Sequence, residues 1–213
     1  MSKKTTIVLA IIAVLLILAV ILIINDKKKN RLNSMYEKMQ KSDNFTFTME
    51  EKTNEIYYKV SMAKRGKDIS IDMYSNEDHT TTLITENKSY SIMHNDQEYY
   101  DYGEEKIDLD IEISSLEKYI KKSCTNGKEE INGKTYYFEE YENEDMDFII
   151  FADIDDSSIV KTRFYFNGNN ICYIKNIIQS DNENQEELIK ADLSFSVDEK
   201  LFNIPEDYAE VTD

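Results

Sequence analysis

The chain has 213 residues, with 25 Lys and Arg against 42 Asp and Glu, a formal net charge of −17, and only two histidines and two cysteines. So acidic a surface repels nucleic acid and argues against it as a partner. The length suits one domain with a real core behind any terminal segment.

Ile7 to Ile24 is an unbroken apolar run. As a helix it would be about 27 Å long, close to the roughly 30 Å hydrocarbon thickness of a bilayer. A cleaved signal peptide ends in small residues, whereas this run ends in Val20, Ile21, Leu22, Ile23 and Ile24, with no cysteine nearby to carry a lipid. The run predicts a transmembrane signal anchor over residues 7–24, behind a short tail (residues 1–6). Lys27, Lys28, Lys29 and Arg31 outnumber Lys3 and Lys4, which by charge alone favours a cytoplasmic C-terminal side. Long domains translocate largely regardless of flanking charge. The expected location is a single pass of a bacterial cell membrane, with the domain outside the cytoplasm.

Residues 25–41 read as a basic juxtamembrane segment and a short helix. Leu32, Met35, Tyr36 and Met39 make its apolar stripe, and the helix could continue the membrane span as a stalk. Residues 42–213 read as a β-rich extracytoplasmic domain. Phe45, Phe47 and Met49 alternate with polar residues, as do Ile56, Tyr58, Val60 and Met62, then Ile69, Ile71 and Met73. Polar turns at 75–78, 86–88 and 95–97 separate further strands over 80–85, 89–94 and 98–102. Ser114 and Glu117 form a capping box that opens one helix, ending before Asn126-Gly127. Asn132-Gly133 and Asn167-Gly168 mark hairpins. In the last strand, Ile189, Ala191, Leu193, Phe195 and Val197 share one face.

The expected fold class is α+β: an N-terminal transmembrane helix plus a curved antiparallel sheet, a half-barrel, with one or two helices. A sheet with one apolar face must have that face covered, by curling on itself or by an apolar ligand. The ending Val197-Asp-Glu-Lys-Leu201-Phe202-Asn-Ile204-Pro205-Glu-Asp-Tyr208 resembles the LolA/LppX-type lipoprotein-carrier superfamily. So does the pattern in Asn87-Lys88-Ser89-Tyr90 and Gly133-Lys134-Thr135-Tyr136. The resemblance covers about residues 32–210. It implies a half-open barrel that carries a lipid or lipidated protein, or that binds a protein partner.

No catalytic constellation is present, and no cofactor is expected. His79 and His94 read as surface residues rather than metal ligands, since neither has matched Cys or carboxylate spacing. Glu142, Glu144, Asp145 and Asp147 form one acidic group and Asp153, Asp155 and Asp156 another; the second supplies oxygens but not the Gly and distal Glu of an EF-hand loop, and both read as solvated loops. Cys124 and Cys172 could form a disulfide worth about 3–4 kcal/mol, or stand as two buried thiols. The expected function is a non-enzymatic, membrane-anchored binding module. Its concave face would be lined by Phe47, Tyr58, Val60, Ile71, Met73 and Phe195 and would hold a lipid or other apolar ligand. The alternative is an interaction or scaffold domain of the cell envelope, docking a protein partner through a strand edge or the acidic surface.

Overall fold

A computed structural model describes residues 30–52, 57–104, 123–142, 159–179 and 184–212. Alternating sequence patterns build one meander from β1 (Asn44–Lys52), β2 (Tyr57–Arg65), β3 (Asp68–Tyr74), β4 (His79–Ile84), β5 (Ser89–Met93) and β6 (Glu98–Asp101). A second contains β7 (Thr125–Ile131), β8 (Lys134–Glu142), β9 (Ile159–Asn167), β10 (Asn170–Ile178) and β11 (Gln185–Ser194). β11 pairs antiparallel with β1, setting Leu193 opposite Phe47 and Ala191 opposite Met49, so the two meanders fuse. β12 (Ala209–Glu210) returns parallel to β6. The result is a twelve-stranded sheet in the order β12-β6-β5-β4-β3-β2-β1-β11-β10-β9-β8-β7. Asn132 (φ 52°) and Gly133 (φ 77°) both adopt the left-handed backbone that a two-residue hairpin needs between β7 and β8.

Cross-strand register sorts the side chains onto two faces. On one face lies α1 (Arg31–Lys41), whose Leu32, Met35 and Met39 are buried. They pack with Phe45, Phe47, Met49, Phe164, Ile174 and Ile189 into the main core. The opposite face carries a second cluster of Ala63, Leu83, Ile92 and Phe202, joined by Val197, Leu201, Ile204 and Tyr208 from the C-terminal stretch. The tail makes one 3-10 turn at Glu199–Phe202, where the Asp198 carboxylate accepts from the Lys200 amide at 3.0 Å. On the second meander, the face opposite α1 is a lattice of ion pairs. Arg163 bridges Glu129 (2.8 Å) and Glu140 (2.5 Å), and Lys175 bridges Glu129 (2.6 Å) and Glu186 (3.0 Å).

The structure corrects several expectations. Among the described residues no helix is long and apolar enough to cross a membrane, so the fold they form contains no transmembrane helix or signal anchor, against the expected fold class. Ile7–Ile24 lies outside the described residues, as do the helix expected at Ser114–Ile120 and the acidic groups at 144–147 and 153–156. The antiparallel half-barrel with one or two helices is replaced by a mixed twelve-stranded sheet with one α-helix among the described residues. The mixing arises because Ala209 and Val211 donate to the carbonyls of Gln97 and Tyr99, adding a parallel edge. α1 is no stalk, because its apolar stripe is sealed against the sheet. The last strand stops at Ser194, so Phe195 stays on the α1 side while Val197 joins the opposite cluster.

Asn126-Gly127, expected to follow the helix that Ser114 opens, lies within β7. A Cβ on Gly127 would sit 2.5 Å from Cζ and 2.7 Å from Cε1 of Phe138, so the ring needs a residue without a side chain beneath it. Gly127→Ala should cost about 1–3 kcal/mol of overpacking strain, read as a lower urea midpoint. An unchanged midpoint would contradict this packing.

Candidate functional site

The start of α1 is fixed from far away in the chain. α1 has no acidic residue in its first turn, and Asn30 makes no side-chain cap. Glu139 of β8 takes that role: its carboxylate accepts from the Arg31 amide at 2.6 Å and the Leu32 amide at 3.1 Å. The Tyr141 hydroxyl donates to the same carboxylate at 3.2 Å, and Glu139 is 1% exposed. A buried carboxylate survives because helix N-terminal amides and a hydroxyl replace its water. Burial pushes the Tyr141 phenol well above its ordinary range, with the Glu139 charge adding to the effect.

Beside this anchor a cleft of about 460 Å³ opens between α1, β8, the β9–β10 turn and residues 193–195. Met35, Tyr137, Leu193 and Phe195 supply apolar wall, and Arg31 and Lys38 supply charge. The Arg31 guanidinium lies 4.0 Å over the Tyr137 ring, and its Nη1 donates to the Gly168 carbonyl at 2.6 Å. The Lys38 ammonium lies 3.9 Å over the Phe195 ring. Neither cation forms a salt bridge among the described residues, whereas Arg163 and Lys175 on the other face each hold two carboxylates. The volume falls in the range of small-molecule sites, about 300–1,000 Å³.

The six residues expected to line an apolar face share the α1 side of the sheet but not one site. Phe47 is core beneath α1. Val60 and Ile71 are buried on β2 and β3. Tyr58 and Met73 are half-buried, the Tyr58 hydroxyl meeting the Met73 sulfur at 3.9 Å. Phe195 alone lines the cleft. Cys124 and Cys172 are both free thiols. Cys172 donates to the Tyr165 carbonyl at 3.3 Å, and burial pushes its thiol up to about 11. Sequence reasoning missed Arg31 and Lys38. Their signal was spacing: Arg31, Ser34, Met35 and Lys38 fall at i, i+3, i+4 and i+7, on one helix face.

A second cluster gathers on the opposite face. Register sets Thr81 opposite Asp72 and His79 opposite Tyr74, while the backbone of His94 bonds back to that of His79. The Tyr74, His79 and His94 rings stack at 3.6 and 3.7 Å. Asp72 Oδ1 meets His79 Nε2 at 2.8 Å and accepts from Thr81 Oγ1 at 2.7 Å; Thr81 Oγ1 also meets His94 Nε2 at 2.8 Å. A carboxylate only accepts, so Thr81 gives its one proton to Asp72 and His94 Nε2 donates to Thr81. His94 Nδ1 then accepts from the Tyr208 hydroxyl at 3.0 Å. Burial, and then His79, hold His94 below the ordinary imidazole value, against the pull of Asp72. The two histidines expected at the surface are thus half-buried and joined in one network.

No family model and no curated protein matches the chain. Among solved structures it is similar to an uncharacterized conserved protein from Thermus thermophilus, at 8% identity and a TM-score of 0.45, covering 83% of this chain and 94% of that one. So distant a likeness carries no functional argument.

Proposed function

We propose that the protein is a non-enzymatic binding module whose cleft beside α1 takes a small amphiphile with an anionic group, a carboxylate or phosphate beside an apolar chain. One observation carries this reading. In a chain of net charge −17, two cations without salt-bridge partners among the described residues flank an apolar wall. Met35, Leu193 and Phe195 would cover the apolar part, and Arg31 and Lys38 would meet the charge. The carrier-type resemblance of the C-terminal ending agrees with this class of cargo. Docking through a strand edge has less support: β12 has two residues, and β7 carries Lys128, Glu129 and Glu130, charges that discourage edge pairing. The opposite face of the second meander spends its acids on Arg163 and Lys175.

The test uses the full chain with anilinonaphthalene sulfonate as a fluorescent anionic probe and dodecanoate as competitor. Dodecanoate should displace the probe, and dodecyltrimethylammonium should not. Lys38→Gln should weaken dodecanoate about tenfold, the loss of one charge-assisted contact. Equal displacement by both amphiphiles would contradict the proposal.

A further inference from the structure

We propose that Asp72, His79 and His94 form a binding site for one divalent first-row transition cation of the Zn2+ class, independent of the cleft. One ligand atom from each residue lies within 4.8 Å of the others. Ligand atoms around a tetrahedral ion with bonds of about 2.0–2.1 Å stand about 3.4 Å apart, so the spacing suits a common centre once the stacked His79 and His94 rings tilt out of parallel to turn their lone pairs toward it. The donor set selects the metal class. Two imidazoles and one carboxylate suit Zn2+, Co2+, Ni2+ or Cu2+, whereas Ca2+ and Mg2+ want an all-oxygen shell. Three protein ligands leave a fourth position, next to the Thr81 hydroxyl.

The surroundings are those of a built site. Ligating histidines usually have the remote ring nitrogen held by a second residue, and Tyr208 does this at His94 Nδ1, 3.0 Å away. Thr81 orients Asp72, and its contact with His94 Nε2 gives way to the ion. The Asp72 side chain is 10% exposed and that of His79 21%, so the carboxylate is anchored while the site stays reachable. Binding needs no net proton release from the neutral rings. Each imidazole moves its proton from Nε2 to Nδ1, and at His94 the Tyr208 hydroxyl turns from donor to acceptor. The ion would tie β3, β4 and the residue after β5 to the C-terminal tail.

The chain contains only two histidines, so the untagged wild-type protein gives a clean test. Zn2+ titrated into the full chain should bind at one equivalent and shift the Nε2 resonances of both imidazoles together in a nitrogen-15 spectrum. Co2+ should give the visible bands of a low-symmetry site, bleached by Zn2+. His79→Gln and His94→Gln should each weaken Zn2+ by about 100-fold, and Tyr208→Phe by about tenfold, the range for loss of an orienting partner. Zn2+ that binds without moving either histidine resonance, or no saturable binding, would overturn the proposal. These readouts are blind to dodecanoate, so the cleft reading stands or falls separately.

Discussion

Glu139→Ala should lower the stability of the domain by about 3–4 kcal/mol. The carboxylate is the only acceptor among the described residues for the Arg31 and Leu32 amides, and it also takes the Tyr141 hydroxyl. A charge-assisted hydrogen bond contributes about 1.5–3 kcal/mol, and a lost helix cap costs about 0.5–2 kcal/mol. Both losses fall at a site with 1% exposure, where water cannot easily replace the missing oxygens. In urea, the midpoint should drop by about 1.5–2 M at a slope near 2 kcal/mol per M. Glu139→Gln keeps one accepting oxygen but turns an N–H2 toward other donors, so it should cost about 1–2 kcal/mol. A loss below about 1 kcal/mol for the alanine variant would show that α1 is held by its apolar stripe alone. Because Arg31 and Lys38 are carried on α1, the alanine variant should also lose amphiphile binding.

Phe47→Ala should be almost as damaging, at about 3–5 kcal/mol, because the side chain is 4% exposed and packs beneath α1. It sits in a row between Met62 on β2 and Leu193 on β11, where the two meanders join. Truncation there opens a cavity at the seam. Phe195→Ala makes the useful contrast. Its ring is half-buried at the cleft mouth under Lys38, so stability should fall by only about 1 kcal/mol while dodecanoate binding weakens. Comparable destabilisation from the two variants would contradict the division of these phenylalanines between core and cleft.

The contrast between Phe47 and Phe195 also marks how far the sequence was legible. Period-two patterns at Phe45–Met49, Ile69–Met73 and Ile189–Leu193 become β1, β3 and β11, and the 3.6-period stripe at Leu32, Met35 and Met39 becomes α1. Local geometry writes those signals. The parallel edge and the second core were hidden, because Leu201, Phe202, Ile204 and Tyr208 follow no regular period and Val197 continues the alternation of a strand that stops at Ser194. Asn126-Gly127 reads only as the point before which a helix ends, whereas its glycine serves close ring packing within a strand. The Glu139 cap joins residues 108 positions apart, a separation no local pattern encodes. The histidine cluster was partly readable: pairing the strands around the turn at 75–78 puts His79 opposite Tyr74 and Thr81 opposite Asp72. The cleft cations were readable only as a helix spacing, without the sheet that gives that face its meaning.

An anionic amphiphile entering beside α1 would be reported directly by methionine methyl groups. Met35 lines the cleft, while Met73 and Met93 stand on β3 and β5. Titration of the full chain, carbon-13 labelled at methionine methyls, with dodecanoate should move the Met35 resonance saturably and leave Met73 and Met93 in place. Movement of Met73 and Met93 with Met35 unchanged, or no saturable change at any methyl, would contradict the account.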